Sequence, residues 1–320
     1  MGATYGRCDV TTSPTETSRI GIFVPTGGAG AFNETVELIA GYEADGFGSV
    51  WFPQSTGPDP LVIAAAAGQH TRAITFGTGV IPVYPRHPAA LAASARSAFD
   101  ALGGRLKLGI GLSHKVAMEG RYRLDYQRPA HYMDEYVRIL SPLLRGERAD
   151  VDGELLGAHI KITDRAASGC SLHLAALQPR MLHIAGTRAD GTITWCCGIV
   201  TVRDHIVPTI RQAAAGADRL LPEVTVILPV CVTGDVADGR AMANAALPGY
   251  EQLPVYRAVL DREGAEMPGD VSVVGDEVAV ERQINAFFEA GATRFVALFC
   301  GDDTDRRRSR ELLADLARRY

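Results

Sequence analysis

Eight short, continuous apolar runs are the feature of this 320-residue chain that most restricts its fold. Because their apolar residues do not alternate with polar ones, the runs are typical of parallel strands buried on both faces. Stretches with helical spacing lie between them. Eight strands alternating with helices predict a (β/α)8 TIM barrel of the α/β class, formed as one domain by residues 19–320. The runs lie at 19–24, 49–52, 73–80, 105–111, 172–177, 191–197, 224–232 and 293–299.

An open doubly wound sheet is the alternative fold, but its first strand should lead into a nucleotide-binding glycine motif. The segment "PTGGAGAFNE" (25–34) lacks the G-x-G-x-x-G spacing, and no acidic residue follows at the expected distance. Surplus chain at 146–169 and 244–270 is expected to form insertions, part of it near the barrel mouth. Residues 1–18 lack an apolar core, so we predict a disordered N-terminal tail and not a secretory signal.

Composition and charge exclude several classes of function. A net charge of −5 argues against nucleic acid as the main partner, because phosphate backbones require a basic face. No apolar stretch approaches the ~20 residues of a membrane span. The histidines show no metal-ligand clustering, so we predict no metal site. We interpret the adjacent Cys196 and Cys197 as small, buried apolar residues of a protein in a reducing compartment. We therefore expect a cytoplasmic protein that acts on a small molecule.

The fourth run ends in "LKLGIGLSH" (106–114), which places flexible and reactive residues where a barrel carries its active site. Gly109 and Gly111 have two interpretations. They let backbone N–H groups approach a flat or anionic ligand, or they only relieve crowding inside the barrel. Ser113 can donate a hydrogen bond to an oxyanion, and His114 can move a proton near neutral pH.

Three segments together resemble the bacterial luciferase-like family of flavin and deazaflavin oxidoreductases. They are 77–114, which begins "GTGVIPVYPRHPAAL", 172–195, "LHLAALQPRMLHIAGTRADGTITW", and 273–298, "VVGDEVAVERQINAFFEAGATRFVAL". Gly-Thr-Gly-Val at 77–80 and "LGIGLSH" are most similar to the branch that uses coenzyme F420, an 8-hydroxy-5-deazaflavin. The resemblance implies hydride transfer between F420 and a C=C bond, C=N bond or alcohol of a small metabolite. It also implies a homodimer.

The resemblance assigns roles to particular residues. A cis peptide bond at Gly79–Val80 should form a bulge on which the ring leans. His114 falls on the position of a proton-donating glutamate in the sugar-phosphate dehydrogenases of that branch, and Ser113 lies beside it; we assign both to catalysis. The implied cofactor contacts are Gln54, Thr78, Gly79, Val80, Gly111, Leu112, Ser113, Ala175, Ala176 and Leu177.

The chain departs from those dehydrogenases after the second run. They carry Asp-His there, whereas this chain has Gln54 and Ser55. Gln54 can still hydrogen-bond the ring, but Ser55 is a poor base with no activating partner in the sequence. We place Ser55 and Trp195 in the substrate pocket. Without a matching Lys/Arg set for a sugar phosphate, we do not expect oxidation of glucose 6-phosphate. An FMN-dependent monooxygenase and a non-catalytic deazaflavin-binding barrel are the alternatives.

Overall fold

The computed structural model describes residues 18–26, 31–164 and 169–320. The tail predicted for residues 1–18 lies outside these residues, except for Ser18. There the prediction is wrong: Ser18 is buried, its Oγ accepts a hydrogen bond from Ile20 N at 3.1 Å, and its carbonyl oxygen accepts one from Arg294. The folded part therefore includes Ser18.

The described residues form twelve strands. They are β1 (Ile20–Phe23), β2 (Ser49–Phe52), β3 (Thr75–Thr78), β4 (Ile81–Pro82), β5 (Leu106–Gly111), β6 (Arg148–Val151), β7 (Ala158–Lys161), β8 (Ser171–Ala175), β9 (Gly191–Trp195), β10 (Glu223–Val232), β11 (Val273–Gly275) and β12 (Arg294–Phe299).

The same residues form twelve α-helices, with one π-helical turn at Val202–Ile206. The helices are α1 (Ala31–Asp45), α2 (Pro60–Ala67), α3 (Pro88–Ala101), α4 (Lys115–Gly120), α5 (Pro129–Leu144), α6 (Pro179–Arg188), α7 (Ile199–Thr201), α8 (Val207–Gly216), α9 (Val236–Ala246), α10 (Pro254–Glu263), α11 (Glu277–Glu289) and α12 (Asp303–Arg319). None of these helices is both long and apolar enough to cross a membrane.

Eight of the described strands close into a barrel in the order β1-β2-β3-β5-β8-β9-β10-β12, and β12 pairs with β1. Every neighbouring pair in this ring is parallel. Each barrel strand lies within one of the eight apolar runs, apart from one extra residue at an end of β8 and of β10, so the predicted (β/α)8 barrel is confirmed. The short β4 and β11 add to β5 and β10, respectively.

The two insertions lie in different places. The first forms the antiparallel β6–β7 hairpin, which packs along α5 on the outside of the barrel. The Glu135 carboxylate in α5 fixes its tip by accepting hydrogen bonds from the backbone N–H groups of residues 154, 155 and 156 at 2.7–2.9 Å. The second insertion contains α10 and reaches the barrel mouth, as expected for part of the surplus chain.

The barrel interior has its own apolar cluster, separate from the larger core between the strands and the helices. Phe23, Trp51, Ile193, Ile227 and Val296 form its buried part. At the amino ends of the strands the interior becomes polar, with Lys107 and Glu223 paired at 2.6 Å and His173 fully buried nearby. A packed, partly polar amino-terminal end leaves the carboxyl ends of the strands as the open side.

Candidate active site at the barrel mouth

Gly109 is required by close packing between two strands. A Cβ at this position would lie 1.8 Å from the carbonyl oxygen of Thr78. The Thr78 hydroxyl donates to Gly109 O at 2.7 Å and accepts from Gly109 N at 2.8 Å. For Gly109, the interpretation as relief of crowding is therefore confirmed. Thr78 is fully buried with its hydroxyl committed to β5, so its side chain positions the next residues and is not exposed to a ligand.

The peptide bond between Gly79 and Val80 is cis, as the resemblance implies. Two neighbouring backbones hold this bend: Gly79 N donates to Phe52 O at 2.7 Å, and Gln54 N donates to Val80 O at 3.3 Å. Gly111 makes room for it, because a Cβ there would lie 2.6 Å from Val80 Cγ2. The bend thus places the half-buried Val80 side chain at the mouth, between the ends of β2 and β5.

Gln54 and Ser55 lie beside this bend but differ in exposure. The Gln54 side-chain oxygen is buried and accepts no hydrogen bond from the described part of the chain. Ser55 is exposed, and its carbonyl oxygen accepts a hydrogen bond from the Tyr122 hydroxyl at 3.0 Å. Tyr122 therefore joins the loop after β2 to the segment that follows β5 and α4.

Apolar side chains form the floor of the mouth. Val80, Trp195 and Leu298 are partly buried and pack on the barrel's interior cluster. The Trp195 ring contacts that of Phe23, with centroids 5.1 Å apart and planes 42° apart. Trp195 thus packs on the interior cluster, and its place in the substrate pocket stays a prediction.

His114 lies at the start of α4, where its ring contacts two tyrosines of the second insertion. The centroid of Tyr250 is 5.9 Å away and that of Tyr256 is 5.7 Å away, both in edge-on arrangements. Burial lowers the pKa of His114 below its usual 6.5, so the imidazole is neutral at pH 7. A neutral, half-buried imidazole at the mouth can accept a proton.

Ser113 and Leu112 connect β5 to His114. Ser113 has a left-handed backbone with φ of 60°, which turns the chain between the strand and α4. Its carbonyl oxygen accepts a hydrogen bond from the Tyr126 hydroxyl at 3.4 Å. Leu112 packs against the core between strands and helices, so its side chain points away from the barrel interior. Of the two, Ser113 is the one beside His114 at the mouth.

Ala175, Ala176 and Leu177 follow β8 and offer mainly backbone groups. Ala175 is half-buried beside Gly111, whereas Ala176 and Leu177 are buried in the core below the helices. The Leu177 carbonyl oxygen is already within 2.9 Å of His205 Nε2, in the π-helical turn. The chain then enters α6, whose positive N-terminal end lies directly after these residues.

The structure therefore brings part of the predicted set together at the mouth, whereas four of its side chains are buried or packed in the surrounding core. These four are Thr78, Leu112, Ala176 and Leu177. Sequence reasoning missed Tyr250 and Tyr256, which come from the insertion between β10 and β12. Their signal was weak, because two tyrosines in the short segment "YEQLPVY", which Pro254 interrupts, do not form a sustained helical or strand periodicity.

The remaining reactive groups do not form another centre in this part of the molecule. The described residues contain no cluster of histidine, cysteine, aspartate or glutamate side chains suited to a metal ion. Burial raises the pKa of the Cys196 and Cys197 thiols, which disfavours the nucleophilic thiolate in both.

Comparison with known proteins adds a family and several relatives. A family model described as luciferase-like monooxygenase matches residues 18–302. An F420-dependent glucose-6-phosphate dehydrogenase from Mycobacterium avium (strain 104) is 29% identical over 268 residues, 78% of each chain. A 5,10-methylenetetrahydromethanopterin reductase from Methanolobus tindarius is 26% identical over 268 residues, 78% of this chain and 80% of the relative. The structure of a coenzyme F420-dependent tetrahydromethanopterin reductase from Methanopyrus kandleri has a similar fold, with a TM-score of 0.78 at 19% identity over 93% of this chain and 97% of that one.

Proposed function

Because this chain belongs to the luciferase-like monooxygenase family, we propose that it is an F420-dependent oxidoreductase acting on a small organic substrate. The curated relatives at 26–29% identity are named for F420-dependent or methanopterin chemistry, which supports this choice. The observation that carries it is the mouth itself, where an apolar floor, the unpartnered Gln54 oxygen and the half-buried His114 imidazole converge.

The residues at the mouth fit a planar deazaflavin. The buried, unpartnered Gln54 oxygen requires a donor, and an N–H group on the edge of the ring would satisfy it. Val80, half-buried at the mouth on the interior cluster, offers an apolar surface for a ring face. The start of α6, after Ala175–Leu177, suits an anionic linker, because a helix N-terminus favours negative charge.

A bound deazaflavin supplies a carbon that accepts or donates a hydride. The chain's own residues then have to orient the substrate and handle a proton. His114 handles the proton. As a neutral base it takes the hydroxyl proton of an alcohol whose carbon gives up a hydride, and in its protonated form it donates a proton to the substrate atom that becomes negative when the substrate accepts a hydride. Since burial lowers the pKa of His114, we propose that it acts as a general base for alcohol oxidation at neutral pH, and that this oxidation slows in acid as the imidazole gains a proton.

The sugar-phosphate activity named for the relatives is not what we propose for this chain. Gln54 and Ser55 replace the Asp-His pair that the resemblance implies for those enzymes. Ser55 is exposed, and a serine hydroxyl is a poor base for the role that histidine has in that pair. We therefore propose an alcohol, or a C=C or C=N compound, as the substrate.

A binding titration tests the cofactor. Purified protein should bind F420 more tightly than FMN or NADPH, measured by fluorescence quenching. Gln54→Ala should weaken F420 binding about 5- to 10-fold, because one hydrogen bond is worth about 1–1.5 kcal/mol. Gln69→Ala, at an exposed position after α2, is the matched control and should bind as wild type does.

Tighter binding of FMN than of F420 would overturn the proposal. It would favour the monooxygenase alternative, which oxygen consumption in the presence of reduced FMN would reveal. Tight F420 binding with no change of its absorbance in any alcohol or imine mixture would instead indicate a non-catalytic barrel.

We also propose a homodimer, on the basis of the family resemblance, and a cytoplasmic location, on the basis of buried cysteines that suit a reducing compartment. Light scattering coupled to size exclusion should give twice the chain mass; a single chain mass at micromolar concentration would contradict the dimer.

A further inference from the structure

We propose that Tyr250 and Tyr256 determine substrate specificity by forming, with Trp195 and His114, an aromatic box for an uncharged, apolar substrate. This inference rests on the proposed function, since it describes the substrate side of the same mouth. It goes further by assigning selection to a segment outside the barrel strands and by excluding phosphorylated substrates.

The four rings form one continuous surface. Tyr250 contacts Tyr256 at 4.8 Å between centroids and Trp195 at 6.3 Å. Both tyrosines also contact the His114 ring, and Trp195 continues the series to Phe23 in the barrel interior. The rings thus lead from the outer mouth to the floor beside the Val80 bend. Aromatic rings in tilted and edge-on contact offer large apolar area with few rotatable bonds.

The box is electrically neutral at pH 7. Burial raises the pKa of Tyr250 to about 12 and that of Tyr256 well above 10, with contributions from neighbouring phenol and thiol groups. Burial lowers the pKa of His114, so it too is uncharged. Lys115, the next residue after His114, is highly exposed and paired with Glu119. The described contacts of the box therefore offer phenol and imidazole hydrogen bonds and no cation for a phosphate.

The second insertion, which carries Tyr250 and Tyr256, also places a carboxylate at the start of a neighbouring helix. The Glu263 carboxylate, at the end of α10, accepts hydrogen bonds from Thr201 N at 2.5 Å and Val200 N at 3.3 Å. Gly198 leaves the space for it, because a Cβ there would lie 2.4 Å from Glu263 Oε2. The chain's own carboxylate thus occupies the positive end of the helical stretch that follows β9, which disfavours an anionic substrate there.

Calorimetric binding to the protein–F420 complex tests the inference, with 1-phenylethanol as an uncharged aromatic probe and glucose 6-phosphate as a charged one. We expect binding of 1-phenylethanol and none of glucose 6-phosphate. Tyr250→Ala and Tyr256→Ala should each weaken 1-phenylethanol binding at least 10-fold while changing the F420 dissociation constant less than 3-fold. Tyr250→Phe and Tyr256→Phe keep the ring and should retain binding within 3-fold.

Tyr320→Ala, at the exposed C-terminus against Phe288, is the matched control and should bind 1-phenylethanol as wild type does. Binding of glucose 6-phosphate in preference to 1-phenylethanol would overturn the inference and leave F420 dependence intact. Unchanged 1-phenylethanol binding in both alanine variants would also overturn it. Failure of the protein to bind F420 at all would instead refute the proposed function.

Discussion

Replacing Gly109 by alanine would separate the strands that hold the bend at the mouth. The new Cβ would lie 1.8 Å from Thr78 O and 2.5 Å from Ile193 Cδ1, whereas carbon atoms pack at about 3.5–4.0 Å. Relief requires β3 and β5 to move apart by more than about 1 Å. The first interactions to fail are the two hydrogen bonds of the Thr78 hydroxyl to Gly109, at 2.7 and 2.8 Å.

The expected loss of stability in Gly109→Ala follows from these contacts. Two buried hydrogen bonds contribute about 1–1.5 kcal/mol each, and overpacking a core costs about 1–3 kcal/mol. We therefore expect Gly109→Ala to lower the free energy of unfolding by about 3–6 kcal/mol. With an unfolding entropy of about 2.1 cal/mol/K per residue, this corresponds to a fall in Tm of about 4–9 °C.

Thermal unfolding followed by circular dichroism measures this shift. Gly216→Ala is the matched control, because it lies in α8 with nothing within 4 Å of its added Cβ. It should raise stability by about 0.5–1 kcal/mol through helix propensity. A fall in Tm for Gly109→Ala of less than about 2 °C would refute the packing argument and restore ligand binding as the reason for this glycine.

Three further predictions concern titration and anchoring. His114→Ala should slow F420-dependent alcohol oxidation at least about 100-fold while changing F420 affinity little. Burial lowers the pKa of His114, so the wild-type rate should fall in acid as the imidazole gains a proton, and this fall should be absent from the variant's pH profile; equal turnover would contradict a catalytic role. Burial lowers the pKa of His173 to about 4. As the pH falls from 7 to 4, the imidazole therefore takes up a proton mainly in the unfolded chain, and the free energy of unfolding should drop by about 3 kcal/mol over that range. In urea unfolding, His173→Leu should lose less stability than wild type between pH 7 and pH 4. An equal loss in the variant would contradict this role of His173. Glu135→Gln should cost about 2–3 kcal/mol and expose residues 152–157 to limited proteolysis, since the carboxylate binds three backbone N–H groups there; unchanged proteolysis would argue against this anchor.

The hydrophobic pattern within each short segment was enough to predict the barrel. Strands buried on both faces give continuous apolar runs, and each barrel strand corresponds to one of them. The bend at Gly79–Val80 came from family resemblance, because composition and periodicity carry no information on peptide isomers. Ser18 was assigned to a tail because its burial depends on Arg294, which is distant in the sequence.

The residues at the mouth were only partly predictable. Thr78 was expected to touch the cofactor, but its hydroxyl turns into β5, and which way a strand-end side chain turns depends on its neighbour in the barrel. Tyr250 and Tyr256 reach His114 from more than 130 positions away in the sequence. Such contacts are fixed by how the insertion folds back, which no short-range spacing encodes.

The position of the second insertion has a consequence for how this protein can change. The bend, Gln54 and the segment before α6 all come from the first five barrel strands, whereas Tyr250 and Tyr256 come from a loop after the seventh. In the proposed site, the barrel strands would hold the redox partner together with His114 and Trp195, and the loop after the seventh strand would add the two tyrosines on the substrate side. Exchange of residues 247–263 between homologues offers a route to new substrates without rebuilding the hydride-transfer machinery.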